Sequence, residues 1–332
     1  MTPHLTFPTL LETFFTERLV CQQRVSPHTI ASYRDTFSLL VRFTQQRLGK
    51  APSALTLDDL DAPVISAFLD DLEHERGTSA RSRNVRLAAI HSFCHFALLR
   101  APHHGGLLQR ILAIPSKRYD RTPIAFLTAT EIDALLAAPE QHTWAGRRDR
   151  ALLLVAVQTG LRVSELIGLC WQDVTLGTGA HVSCQGKGRK TRCTPLRKDA
   201  IAALRAWQHE QRTHPAAPVF LNTRGGPLSR DGVAYLLAKH VSVAQQQCPS
   251  LQGKRVSPHV LRHSAAMTLL HSGVDCAVIA LWLGHESMDT TQIYLHASLE
   301  LKQQALDKTT PVNGQPGRYQ PDDDLLAFLK GL

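Results

Sequence analysis

The chain has 332 residues, 43% hydrophobic and 20% charged, a balance that fits a folded protein of two ordinary domains and excludes general disorder. Its 37 Lys and Arg against 28 Asp and Glu give a formal charge of +9, which points to an anionic partner, nucleic acid first. Apolar runs such as Ala151–Val157 are too short to span a bilayer, no secretory signal is visible in residues 1–11, and seven scattered Cys lack a C-x-x-C pair. Free thiols in a reducing cytoplasm, and no membrane association, are therefore expected.

The first hundred residues read as a helical bundle. Ser26 followed by Pro27 is a helix start, and Ile30, Tyr33, Phe37, Leu40 and Val41 recur at spacings of three and four up to Leu48. A second amphipathic segment covers Ala62–His74. A third covers Ser79–Leu99, with Val85, Leu87, Ile90, Phe93 and Phe96 as its apolar stripe. Seven acids cluster between Asp58 and Glu75, whereas Arg81–Arg121 holds eight basic residues and one acid. Arg81, Arg83 and Arg86 fit either a solvated helix face or a face that tracks a phosphate backbone. Pro115–Pro123 brackets a polar basic stretch that cannot continue a helix, and Lys117, Arg118 and Arg121 there are further candidate DNA contacts.

Beyond that linker the pattern becomes mixed. Thr128 and Glu131 form a capping box before a helix to Ala138, and a buried helix runs from Asp149 to Thr159, ending at Gly160. His181–Cys184 and Thr191–Pro195 read as strands flanking a basic hairpin turn, Gly186–Lys190, with Arg189, Lys190 and Arg192 expected in solvent. Helices are expected at 197–211, 230–246, 258–272 and 274–282. The expected fold is mainly α with a small β-sheet: a helical domain over 1–114, a basic linker over 115–124, a mixed α/β domain over 125–308, and a tail over 309–332.

Several polar residues sit beside apolar helices of the second domain. Arg162 opens a helix, where a guanidinium suits an anion, yet Glu165 three residues on is an equally available partner. Lys187 at a Gly-flanked turn could reach into a cleft or simply face water. His259 and Arg262 share a helix face and could contact one phosphate. His263 reads as a packed, hydrogen-bonded histidine, His285 follows a helix-ending Gly284, and Tyr294 fits a half-buried aromatic.

Taken in order, Arg162, Lys187, His259, Arg262, His285 and Tyr294 are separated by 25, 72, 3, 23 and 9 residues. Here the sequence resembles the tyrosine recombinase (phage-integrase) family. TGLRVSEL, GKGRKTR, HVLRH and LGHESMDTTQIY look like the motifs around that family's two arginines, hairpin lysine, two histidines and nucleophilic tyrosine. The resemblance covers Thr128–Lys308 well, and the N-terminal half resembles the family's helical core-binding domain more loosely. It implies a site-specific recombinase that cleaves and rejoins strands through a 3′-phosphotyrosine and a Holliday junction, with neither ATP nor metal and no cofactor. Tyr294 would attack, Arg162 and Arg262 would clamp the phosphate, and His285 would donate a further hydrogen bond. His259 would take the tyrosyl proton, and Lys187 would protonate the leaving 5′-oxygen.

Implied partners are double-stranded DNA with inverted half-sites and further copies of the chain, two per site and four in synapsis. The apolar segment Val278–Leu283 inclines the reading towards a mobile element (integration or transposition) rather than resolution of chromosome or plasmid dimers. A type IB topoisomerase would use similar groups in a similar order. A catalytically inactive DNA-binding protein could keep the fold, but six residues all in place speak against it. A metalloenzyme built on His91 and His95 lacks carboxylate or Cys ligands at suitable spacing. In the tail, Leu325, Phe328, Leu329 and Leu332 fall on one face of a short acidic-capped helix, expected to dock in cis or on a neighbouring protomer.

Overall fold

The computed structural model describes residues 6–120, 124–186, 191–211, 214–285, 290–291 and 294. Lys187, Arg121, the end of the expected linker and the tail lie outside them. Contacts divide the chain into two units, Met1–Arg121 and Thr122–Leu332. Both are mainly helical, and the second carries a small sheet.

In the first unit, α1 (Phe7–Thr13) is capped by Thr6 and runs into a π-helical stretch, Phe14–Gln22. Sequence periodicity does not anticipate this segment. It exists because Phe7, Leu10, Phe14 and Leu19 are drawn into the core, where Phe14 lies among Phe37, Phe93 and Phe96 with ring centroids 5.5–6.2 Å apart. The side chain of Ser26 accepts from the Thr29 N–H to start α2 (Pro27–Leu48), and Asp61 does the same for α3 (Ala62–His74) through Val64. In α3, Ile65, Phe68, Leu69 and Leu72 form the buried stripe.

Helices α4 (Ala80–Arg100) and α5 (Gly105–Leu112) complete the unit. Val85 is 50% exposed and does not belong to the stripe expected of it. Two residues before buried Leu87, it lies about 200° round the helix. Arg83 instead takes the buried side, within 3.8 Å of Glu73 and donating to the Pro115 carbonyl.

In the second unit, α6 (Ala129–Ala137) carries the expected capping box of Thr128 and Glu131. Helix α7 spans Trp144–Thr159, starting earlier than Asp149 because Thr143 caps the Gly146 N–H at 3.0 Å. Ala151–Ala156 are all buried, so α7 is the central post of this unit. Short α8 (Val163–Gly168) follows, then an antiparallel sheet in the order β1 (Val174–Thr175), β2 (His181–Gln185), β3 (Thr191–Pro195). Around them pack α9 (Lys198–Gln211), α10 (Arg230–Gln247), α11 (Pro258–His271) and α12 (Cys276–Leu283). A buried polar joint holds α7 to α10: Asp149 accepts from Arg148 and lies 2.8 Å from His240 Nε2. All seven cysteines are unpaired. Among the described residues no helix is long and apolar enough to cross a membrane.

Candidate active site

Two left-handed glycines and one buried helix assemble the site. Gly160 (φ 62°) closes α7, and the chain turns at once into Arg162, whose backbone N–H donates to Glu165 Oε2 at 2.8 Å to start α8. Ser257 and Pro258 start α11, which sets Arg262 in its second turn, 4% exposed. Gly284 (φ 65°) closes α12 and turns the chain so that the His285 N–H bonds the Ala280 carbonyl at 2.9 Å.

Three guanidinium groups converge on the end of α12. Arg262 Nη2 donates to the Leu283 carbonyl at 2.7 Å, Arg192 Nε to that of Trp282 at 3.2 Å, and Arg162 Nη2 to that of Gly284 at 3.2 Å. The last carbonyls of a helix lack intrahelical partners and carry its negative end, which is how like charges can be gathered here. Arg262 also donates to the Gly160 carbonyl at 2.6 Å. Glu165 accepts from Arg162 Nη1 at 2.9 Å and from both terminal nitrogens of Arg192 at 3.0 and 2.7 Å. Three cations thus face one carboxylate, and the excess positive charge suits an anionic ligand.

The charges shape one another. Burial, then the neighbouring Arg162 charge, pushes Arg262 down to about 10. Burial opposes the Glu165 charge, but hydrogen bonds from Arg192 and the Arg162 backbone outweigh it and hold the carboxyl below its usual range. His285 is pushed down to about 4, by burial first and then by Arg262 and Arg162, so it is neutral near pH 7. Its Nδ1 lies 2.7 Å from the Thr291 hydroxyl.

Tyr294 is 1% exposed, not half-buried, and packs with Ala266, Met267, Leu270 and Leu283. Its ring stacks on His285 with centroids 6.4 Å apart and planes 11° apart, and its hydroxyl lies 3.0 Å from His263 Nδ1. Burial raises the phenol's pKa, while Arg262 and Arg162 act to lower it.

Arg162, Arg262, His285 and Tyr294 are therefore brought together from four separate segments. His259 stands exposed in the first turn of α11. Lys187 lies in sequence between β2 and β3, outside the described residues. Three site residues escape sequence reasoning. Glu165 is legible as a partner of Arg162 but not as shared with Arg192. His263 reads as structural, with no hint that Tyr294 is its partner. Arg192 is expected in solvent; the structure places it inward, its side chain 11% exposed, on the face of β3 that also buries Thr194. Two-residue strand alternation carries that signal.

Among the expected DNA contacts, Arg81 and Arg118 are exposed and Arg86 is half-buried. Arg83 is buried, so its place on a phosphate-facing surface is withdrawn. Lys117 is exposed but ion-paired with Glu73. His91 bonds the Ile111 carbonyl at 3.1 Å.

A helical domain followed by a mixed domain that gathers arginines and histidines around a tyrosine defines a class, and known proteins share it. Residues 125–300 match the phage integrase family, and residues 13–101 match the N-terminal SAM-like domain of phage integrases. An integrase/recombinase of Sinorhizobium fredii, y4rC, is 56% identical over the whole of both chains. The tyrosine recombinase XerC of Pelobacter propionicus is 34% identical over 90% of this chain and 94% of its own. In fold, the Tn1549 transposon integrase in complex with transposon right end DNA superimposes with a TM-score of 0.67. That match covers 89% of this chain and 98% of that one, at 15% identity. The chain belongs to the phage integrase family of tyrosine recombinases, which cleave and rejoin DNA.

Proposed function

We propose that this protein is a site-specific recombinase that uses Tyr294 to cleave one DNA strand and form a 3′-phosphotyrosine. The observation that carries the reading is the setting of Tyr294, stacked on His285 within the field of Arg162 and Arg262. The tyrosyl oxygen attacks phosphorus, the bond to the 5′-oxygen breaks, and the 5′-hydroxyl of a second strand reverses the step to rejoin. Bond energy is kept in the phosphotyrosine, so no ATP is required, and the arginine and histidine donors take the charge-stabilising part that a metal would otherwise play. Arg162 and Arg262 bind the non-bridging oxygens as charge builds on them, and neutral His285 donates an N–H. His259 takes the tyrosyl proton. His263 touches the hydroxyl, but burial lowers its pKa and makes it a weak base, better suited to holding the phenol. Lys187 gives a proton to the leaving 5′-oxygen.

A nicked suicide substrate should trap wild-type protein as a covalent DNA adduct, with or without EDTA. Tyr294→Phe should give no adduct while binding the site normally, since affinity comes mainly from phosphate contacts. An adduct of equal yield from the Phe variant overturns the reading.

The substrate is double-stranded DNA with inverted half-sites, bound by two copies per site and four in synapsis, and the biological role is movement of a mobile element. The support for that role is the likeness to y4rC, an integrase/recombinase 56% identical over the whole of both chains. The 34% identity to XerC supports a second reading, a dimer-resolving recombinase, which sequencing of the junctions formed in cells would separate from the first. The tail reaches a neighbouring protomer. Deleting Pro321–Leu332 should leave half-site binding by a monomer and its melting temperature unchanged but reduce cooperative filling of two half-sites. A lower melting temperature with unchanged cooperativity would place the tail in cis.

A further inference from the structure

We propose that Arg192 is a positioning residue that occupies Glu165 and so keeps the Arg162 charge available to the scissile phosphate. The proposal rests on the reading that Arg162 binds that phosphate.

The geometry separates the three groups by access. Arg192 and Glu165 are nearly closed off, with side chains 11% and 7% exposed, whereas Arg162 is 32% exposed. Arg192 meets both carboxylate oxygens with both terminal nitrogens, the two-pronged arrangement that is the strongest available between these groups. Arg162 meets the same carboxylate with one terminal nitrogen and gives another to the Gly284 carbonyl. Glu165 is thus mainly the counter-ion of Arg192. Its link to Arg162 orients that guanidinium without enclosing it.

Remove Arg192, and among the described residues Arg162 is the cationic side chain still hydrogen-bonded to the buried carboxylate. A charge with so little access to water needs a partner, and Arg162 is the group that can supply it. The guanidinium then turns from the ligand towards Glu165, and the pocket loses one positive charge as well. Arg192 also fixes the end of α12, through the Trp282 carbonyl and by packing on Gly284, where a Cβ would come within 2.8 Å of Nη1. The strand that leaves the hairpin, the start of α8 and the turn bearing His285 are thereby tied at one guanidinium.

The test is single-turnover cleavage of the nicked substrate at saturating protein, with half-site binding and thermal melting measured alongside. Arg192→Met should slow adduct formation by about 50-fold, of the order seen when a preorganised charge is misplaced, with half-site binding changed less than about threefold. Adding Glu165→Gln should then restore cleavage by about tenfold, because a neutral amide no longer draws Arg162 away, although the same change alone slows the wild type. A residue that only supports the fold predicts the opposite, a double variant as slow as Arg192→Met or slower. Arg192→Lys keeps the charge without the fork and should stay within about fivefold of wild type. A folded Lys variant as slow as Arg192→Met, or no restoration by Glu165→Gln while wild type forms its adduct, overturns the role of Arg192 and leaves the recombinase reading standing. Absence of an adduct from wild type itself sinks both.

Discussion

At the scale of residues, His285 shows how burial sets chemistry. A protonated imidazole here would add a further charge beside three guanidinium groups, and the low pKa near 4 avoids it. The Thr291 hydroxyl can donate to Nδ1, which leaves the hydrogen on Nε2 as the donor for a phosphate oxygen. The lowered pKa has a consequence for stability. Between the ordinary histidine value of 6.5 and about 4, the unfolded chain binds a proton at this position that the folded chain does not. The folded state therefore has its full advantage above 6.5 and loses it as pH falls towards 4. In His285→Gln the melting temperature should decline less steeply across that window than in wild type; parallel declines would mean that His285 is not held neutral. Thr291→Val leaves Nδ1 without its partner and should cost about 1–3 kcal/mol, read as slower cleavage or lower stability.

At the scale of elements, the helix ends carry the site, and much of this was legible in the sequence. Starts at Ser26 and Thr128 and stops at Gly160 and Gly284 located helices that the structure contains. The ordered motifs name Arg162, Lys187, His259, Arg262, His285 and Tyr294; the structure gathers four of these, leaves His259 exposed and does not describe Lys187. The π-helical stretch was not legible, because Phe14 and Leu19 are five apart and defeat a 3.6-residue template. The inward turn of Arg192 was hidden for another reason: its counter-ion, Glu165, lies 27 residues earlier in a different element. Gly160 tests what such an end requires. A Cβ there would lie 2.6 Å from Leu283 Cδ2 and 3.2 Å from the Ala265 methyl, whereas at Gly179, with a similar φ of 70°, it would meet nothing within 4 Å. Gly179→Ala should therefore show the left-handed backbone cost alone, about 1–2 kcal/mol in thermal or denaturant unfolding. Gly160→Ala should cost more, about 2–4 kcal/mol, because α12 must also shift, and cleavage should fall with it. Equal losses at the two positions would show that the α7 end is not wedged against α12.

At the scale of the whole molecule, the charge of +9 is a statement about partners only where the cations are free to meet phosphate. The run of basic residues after Arg81 divides on this criterion. Arg81 and Arg118 are exposed, Lys117 is held by Glu73, and Arg83 is buried beside the same carboxylate. Glu73 thus draws two of the cations towards α3, using the acidic cluster that precedes them. Affinity for DNA should follow the exposed group. Removing one phosphate-binding cation lowers the dependence of log K on log salt by about 0.9, so Arg81→Ala and Arg118→Ala should each flatten the salt plot by about that amount. Arg83→Ala should leave the slope alone and lower the melting temperature instead, since it removes a buried guanidinium that ties α4 to Glu73 and to the Pro115 carbonyl. Titrating a half-site across a range of salt, with a melting curve for each variant, separates the two behaviours. A flatter slope for Arg83→Ala at unchanged melting temperature would return that arginine to the DNA face, and would require α4 to present a different side to the duplex from the one it presents to solvent.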